Sequence, residues 1–229
     1  RSLEKINNFE LGIRLIEKEN LIRTKYPEEA KEYIKNTSQK VYYNKSSNRI
    51  DLRDLHFVTI DGKTARDFDD AVCVLKDNDL PGGFRLFVAI ADVSHYVKPE
   101  DPIDKEALLR GTSVYFPTHA VHMLPEELSK NLCSLKPNVN RLTLTCEIRL
   151  RADGEIEGYS IYESIIKSRA RLIYEDVTNL IDRKTSSIKD PIIISNIKMM
   201  HKLANILEKK RIRRGALQFS FDEEIFEFD

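Results

Sequence analysis

Four aspartates, Asp61, Asp67, Asp69 and Asp70, are crowded into the stretch FVTIDGKTARDFDDAV at 57–72. Carboxylates held this closely repel: at 4 Å and an effective dielectric near 20, each like-charge pair costs roughly 4 kcal/mol. A cation placed among them removes that cost, and donors that are all oxygen favour hard ions such as Mg²⁺ or Mn²⁺. Two such ions about 3.5–4 Å apart can activate a water, align it and neutralise a leaving oxygen in phosphodiester hydrolysis. Asp67 and Asp69 share a side of the chain. Neighbours on an extended strand point to opposite faces, so Asp69 and Asp70 can serve one ion only where the backbone leaves regular strand geometry. A solvated turn is the ordinary explanation of an Asp-rich loop, but here apolar runs abut the acids on both sides. A phosphatase with an aspartyl nucleophile wants Asp-x-Asp directly after a strand and then Gly-Thr. Asp61-Gly62-Lys63 fits that poorly.

Several elements must position this loop. The β-branched run 57–60 reads as a buried strand ending in the Asp61-Gly62 turn. Residues 70–76 and 84–91 form a hairpin closed by Pro81-Gly82-Gly83. Asp92 follows as a helix or turn cap, with a place as a fifth carboxylate the alternative. Asp101-Pro102 opens a helix that Gly111 closes. Residues 112–116 make a short strand, and Pro125-Glu126-Glu127-Leu128 starts a helical stretch. Leu142, Leu144, Cys146, Ile148 and Leu150 alternate with Thr143, Thr145, Glu147, Arg149 and Arg151, which predicts a strand with the first set buried and the second exposed. A turn at 152–155 leads to a partner strand over 156–166. Helices are expected over 174–182 and 191–213, the second with Ile193, Ile197, Met200, Leu203 or Ala204, and Leu207 on one stripe. Its C-terminal cations, Lys209, Lys210, Arg211, Arg213 and Arg214, suit the helix dipole. Ahead of all this, 2–35 is helical in pattern and 36–49 is a polar linker. The fold class is α+β, with a mixed or mostly antiparallel sheet and packed helices.

Composition excludes some functions. None of the apolar runs among the 229 residues has the 18 or so residues of a membrane span, so a membrane partner is not expected. Three cysteines, an odd count without metal-ligand spacing, suit a reducing cytosol. The five histidines show no zinc spacing. With 37 basic and 37 acidic side chains the net charge is zero, which taken alone argues mildly against a nucleic-acid partner.

TIDGKTARDFDDAV (59–72) resembles the signature of the RNB family, the catalytic domain of the ribonuclease II and ribonuclease R type. FVAIADVSHYV (87–97), RGTSVYFP (110–117), MLPEELSKNLCSL (123–135) and RRGALQF (213–219) resemble later blocks of the family in the same order. The resemblance implies a Mg²⁺-dependent hydrolytic exoribonuclease that degrades single-stranded RNA from 3′ to 5′, releasing 5′-nucleoside monophosphates. It places all four aspartates at the Mg²⁺ site, with Mn²⁺ a substitute, and ties Asp69 most closely to catalysis. Tyr115 matches a tyrosine that stacks on RNA near the scissile end and sets product length. Such stacking contributes about 1–3 kcal/mol and tolerates any base. Phe219 matches an aromatic that clamps the last bases from the other side, and His122 stands where the family commonly has proline. The same resemblance makes 1–50 a helical linker region and 51–229 the N-terminal portion of the catalytic domain, with a catalytic arginine in the later half. A chain limited to this portion is expected to be inactive alone. Accessory OB-fold domains outside it would carry the missing positive charge. The expected protein is cytoplasmic and monomeric. The rival is an RNB-like RNA-binding or regulatory protein without catalysis; some such members have lost their acids, whereas all four stand here.

Overall fold

A computed structural model of the chain describes residues 8–36, 41, 48–183, 185 and 187–217. Helices α1 (Asn8–Glu19) and α2 (Glu28–Asn36) come first, the second with Glu28 and Glu29 in its first turn, where acids complement the dipole. Strands β1 (Ile50–Asp51), β2 (Val58–Asp61), β3 (Asp70–Lys76) and β4 (Phe84–Ala91) follow, so the hairpin lies where its turn residues predict it. Next are α3 (Val93–Tyr96) and α4 (Pro102–Arg110), the latter capped by Asp101, whose carboxylate accepts from the amides of Ile103 and Asp104. Strands β5 (Val114–Tyr115) and β6 (Ala120–Val121) make a small separate hairpin. A π-helical turn at Leu128–Leu132 leads to the long antiparallel pair β7 (Asn140–Leu150) and β8 (Ile156–Lys167). Strand β9 (Ala170–Ile173), helix α5 (Tyr174–Thr178), a second π-helical turn at Asn179–Arg183 and α6 (Pro191–Arg213) complete the described chain.

Seven strands form one sheet in the order β1-β8-β7-β4-β3-β2-β9. The outer pairs β1–β8 and β2–β9 are parallel and the inner pairs antiparallel, so the sheet is mixed and the class α+β, as expected. One face packs Cys73, Phe87 and Ala89 with Phe57, under Ile103 of α4 and the Leu128–Leu135 segment. The other face packs Val58, Val74 and Leu172 under α6 through Ile193, Ile197 and Leu203. Helix α6 starts where Asp190 and Pro191 place it, the Asp190 carboxylate accepting from the Ile192 amide at 2.8 Å. Asn196 interrupts its apolar stripe usefully: it accepts from the Val74 amide and donates to the His56 carbonyl, tying helix to sheet.

The alternation in β7 predicts one buried face, whereas both faces are buried in part: Leu142 and Leu150 are buried as expected. Thr143 and Thr145 are fully buried, while Leu144 is 38% exposed. Each face of the strand is covered over only part of its length. Its threonine face continues that of Ala89 and Ala91, under the larger core, and the hydroxyls are satisfied there by Ser164 at 2.7 Å each. The leucine face is covered by α6 only toward Leu150. Of the polar stretch at 36–49, residues 37–40 and 42–47 lie outside the described residues; the segments on either side of these pack on the domain. Ile34 of α2 belongs to the main core, α2 packs against α4, and Arg49 is nearly buried.

Asp77 closes the β3–β4 hairpin, accepting from Arg149 Nε at 2.7 Å and from the Asp79 amide at 2.9 Å. The hydrogen bonds from Arg149 pull its pKa down to about 2 against the opposing effect of burial. A depressed carboxyl adds stability above its unfolded pKa of about 3.9 and loses it as pH falls through the folded value. Asp77→Asn is therefore expected to melt lower than the parent at neutral pH, with the gap closing between about pH 4 and pH 2. Melts across that range check this; a gap independent of pH would mean that charge at Asp77 is not what holds the turn.

Candidate active site

The acidic loop is fastened by its backbone. It leaves β2 at Asp61 and turns at 62–65, where the Ala65 amide donates to the Gly62 carbonyl at 3.2 Å. Arg171 Nη2, from β9, donates to the carbonyls of Gly62 (2.8 Å) and Lys63 (2.9 Å), and its guanidinium lies over the Phe68 ring. Ser134 Oγ donates to the Arg66 carbonyl at 3.1 Å and accepts from the Phe68 amide at 3.2 Å. The Leu135 amide donates to the Phe68 carbonyl at 2.8 Å. The Ala91 amide then takes the Asp69 carbonyl into the sheet at 2.9 Å. Phe68 is the buried anchor between Asp67 and Asp69, which explains in packing terms why an apolar residue stands between two acids. Nothing in the spacing pointed to Ser134 or Arg171; their part depends on segments remote in sequence.

The electrostatics carry the mark of crowding. Desolvation first, then the charge of Asp70, raises the Asp61 carboxyl above its usual range, against the pull of Thr59 and Arg171. Asp69 is exposed as a residue but lines a recess, and desolvation there, ahead of the charges of Asp67, Asp70 and Asp61, raises it likewise. Asp61 Oδ2 is a buried carboxylate oxygen with no hydrogen-bond partner. Oxygen donors that repel one another, one of them orphaned, suit a hard cation. Yet no group of three or more His, Cys, Asp or Glu among the described residues is arranged to hold a metal ion. Asp70 opens β3 and by alternation belongs to the face of Val72 and Val74, whereas Asp69 precedes the strand, and the charge of Asp70 acts on both Asp61 and Asp69. Only Asp70 of the later three is in regular strand; Asp67 and Asp69 stand on the irregular loop before it.

Asp67 and Asp69 line a cavity of about 300 Å³ with Ile90, Tyr115, His122 and Met123 among its walls. Tyr115 is 68% exposed, and its hydroxyl approaches Asp67 Oδ2 at 3.4 Å. The structure thus brings Tyr115 to the acids across 48 positions of sequence. His122 is buried with its ring edge-on to Tyr115, centroids 6.4 Å apart, a wall of the cavity that its sequence context did not reveal. Phe219 lies outside the described residues. Asp92 is a cap and an ion-pair partner: it accepts from the His95 amide, the Ser94 hydroxyl and Arg49.

Comparison with known proteins places these features in a family. The model of the RNB domain matches residues 49–229. Ribonuclease R of Vibrio parahaemolyticus serotype O3:K6 (strain RIMD 2210633) is 44% identical over 206 residues, 89% of this chain and 24% of the relative. Ribonuclease R of Escherichia coli (strain K12) is 43% identical over the same length, 25% of that protein. The chain therefore spans about a quarter of these relatives. Among solved structures, Mycoplasma genitalium RNase R in complex with ribose methylated single-stranded RNA superposes with a TM-score of 0.85 at 33% identity. The match covers 93% of this chain and 33% of that one.

Proposed function

This chain belongs to the RNB domain family, and from that premise we propose that it forms part of a hydrolytic 3′→5′ exoribonuclease that degrades single-stranded RNA to 5′-nucleoside monophosphates. Residues 51–229 would be the N-terminal portion of the catalytic domain and 1–50 the helical region leading into it. The observation that carries the reading is the meeting of Asp67 and Asp69, two of the repelling acids, with an exposed aromatic at one cavity. Asp61, Asp67, Asp69 and Asp70 would hold Mg²⁺ or Mn²⁺, the charge of Asp70 already acting on Asp61 and Asp69. Bound there, the ion supplies charge neutralisation at the scissile phosphate and a more acidic water. The chain itself does the positioning. Ser134, Leu135 and Arg171 hold the loop backbone, so that Asp67 and Asp69 stay on the cavity side of Phe68. Tyr115 offers a ring on which a base near the 3′ end stacks, contributing about 1–3 kcal/mol without regard to sequence.

The remaining expectations stand with this reading. No helix among the described residues is long and apolar enough to cross a membrane. The three cysteines are free, two of them buried, as suits a reducing cytoplasm. A monomer acting on RNA is the proposed working form. The alternative, an RNA-binding protein of the same family without catalysis, is disfavoured by the retention of all four acids.

The test is degradation of 5′-labelled poly(A) by the full-length protein. Shortening from the 3′ end with release of 5′-monophosphates is expected, stopped by EDTA and restored by Mg²⁺. The same assay on the isolated 229-residue chain should show no activity. Binding of poly(A) by the full-length protein without any shortening would favour the alternative. Internal cleavage or 3′-phosphate products would exclude the proposed chemistry.

A further inference from the structure

The small β5–β6 hairpin carries Tyr115, and two residues per strand leave it little stability of its own. The Met123 amide donates to Ser113 Oγ across its base at 2.9 Å, and a further hold comes from α1 and the segment joining it to α2. Tyr26 Oη donates to the His122 carbonyl at 2.8 Å, immediately after β6. The same carbonyl accepts from Arg110 Nη1 at 3.0 Å, using both its lone pairs. Arg110 lies 3.8 Å over the Tyr26 ring and donates through Nε to Glu106 at 2.9 Å. Arg23 takes both oxygens of that buried carboxylate, with Nε at 2.9 Å on the Oε1 that Arg110 shares and Nη2 at 2.6 Å on Oε2. At the hairpin tip, Glu17 of α1 meets His119 at 3.2 Å. His122, whose backbone is held in this way, packs its ring against Tyr115.

We propose that the 17–26 arm is a clamp on the RNA-stacking hairpin, with Tyr26 a positioning residue that sets the grip of Tyr115 on short RNA and hence the length of the final product. The clamp acts only through Tyr115, so the inference rests on the proposed function and deepens it. A mobile hairpin still presents a ring, but it must be ordered on binding. Long RNA retains contacts elsewhere and is insensitive to that cost. RNA close to the limit product depends on it.

The test compares Tyr26→Phe, Tyr26→Ala and Tyr115→Ala with the parent in the full-length protein, on poly(A) and on an oligoadenylate just longer than the limit product. Tyr26→Phe deletes only the hydroxyl and keeps the ring on Arg110, so it folds even if Tyr26→Ala does not. Tyr26→Phe is expected to raise KM for the short substrate about fivefold, a fraction of one stacking contribution, and to lengthen the end product. The kcat on poly(A) should stay within about twofold, because stacking at one base is a small part of a long RNA's binding. A merely structural role would lower both substrates' rates together. Parental end products from both Tyr26 variants, beside lengthened ones from Tyr115→Ala, overturn the clamp. Parental end products from Tyr115→Ala itself overturn the stacking reading on which the clamp depends.

Discussion

Asp69→Asn is expected to abolish hydrolysis in the full-length protein while leaving RNA binding intact and making the metal-free protein more stable. Asn keeps the size and hydrogen-bonding capacity of the side chain and removes one charge from the proposed ion site. Electrostatic stabilisation by a bound metal contributes several kcal/mol to such reactions, so a loss of roughly 10³-fold or more is expected. In EDTA the same change relieves repulsion from Asp67, Asp70 and Asp61. Solvent screens an exposed residue, and the relief is about 1 kcal/mol or less, or about 2–4 °C in melting temperature. A carboxyl raised in the folded state contributes stability below its unfolded pKa and loses it as pH rises through the folded value. The advantage of the Asn variant should therefore open above about pH 4 in EDTA. Adding Mg²⁺ should stabilise the parent more than the variant. An Asn variant that melts lower in EDTA, with an undiminished response to Mg²⁺, would show the acids to be an ordinary structural turn.

Arg49→Met should cause the largest loss of stability. Arg49 is 9% exposed and Asp92 2%, and the guanidinium also approaches Glu163 at 3.6 Å. Burial pushes the Asp92 carboxyl up, but the Ser94 hydroxyl, Arg49 and the His95 amide outweigh it and hold it below its usual range. Removing one partner of a buried pair typically costs 3–5 kcal/mol, because the other charge stays buried. Asp92 keeps two donors, so about 3 kcal/mol is expected, which lowers the melting temperature by roughly 6–12 °C. A depressed carboxyl loses its contribution as pH falls through the folded value, so the deficit should shrink toward low pH. A melting temperature within about 2 °C of the parent at neutral pH would show that the pair is solvent-screened.

Much of the local structure was legible because short-range chemistry dictates it. Pro81-Gly82-Gly83 closes the β3–β4 hairpin between two apolar runs, Asp190-Pro191 starts α6, and Asp101-Pro102 starts α4. The crowding of Asp61, Asp67, Asp69 and Asp70 was equally plain, since like charges on one loop demand an explanation wherever the chain goes. Tertiary structure alone decided the rest. Whether Leu144 or Thr145 is buried depends on which layer covers each face of β7, and alternation cannot tell two covered faces from one. That Asp70 is in β3 while Asp69 precedes it depends on where β3 begins, and strand boundaries are set by pairing with β4. Tyr115 reaches Asp67, and Tyr26 reaches His122, only when contacts 48 and 96 residues apart in sequence are closed. Such contacts carry no periodicity that a sequence displays. They exist because the core brings α4, the Leu128–Leu135 segment and the acidic loop onto one face of the sheet, and that burial is a property of the whole chain.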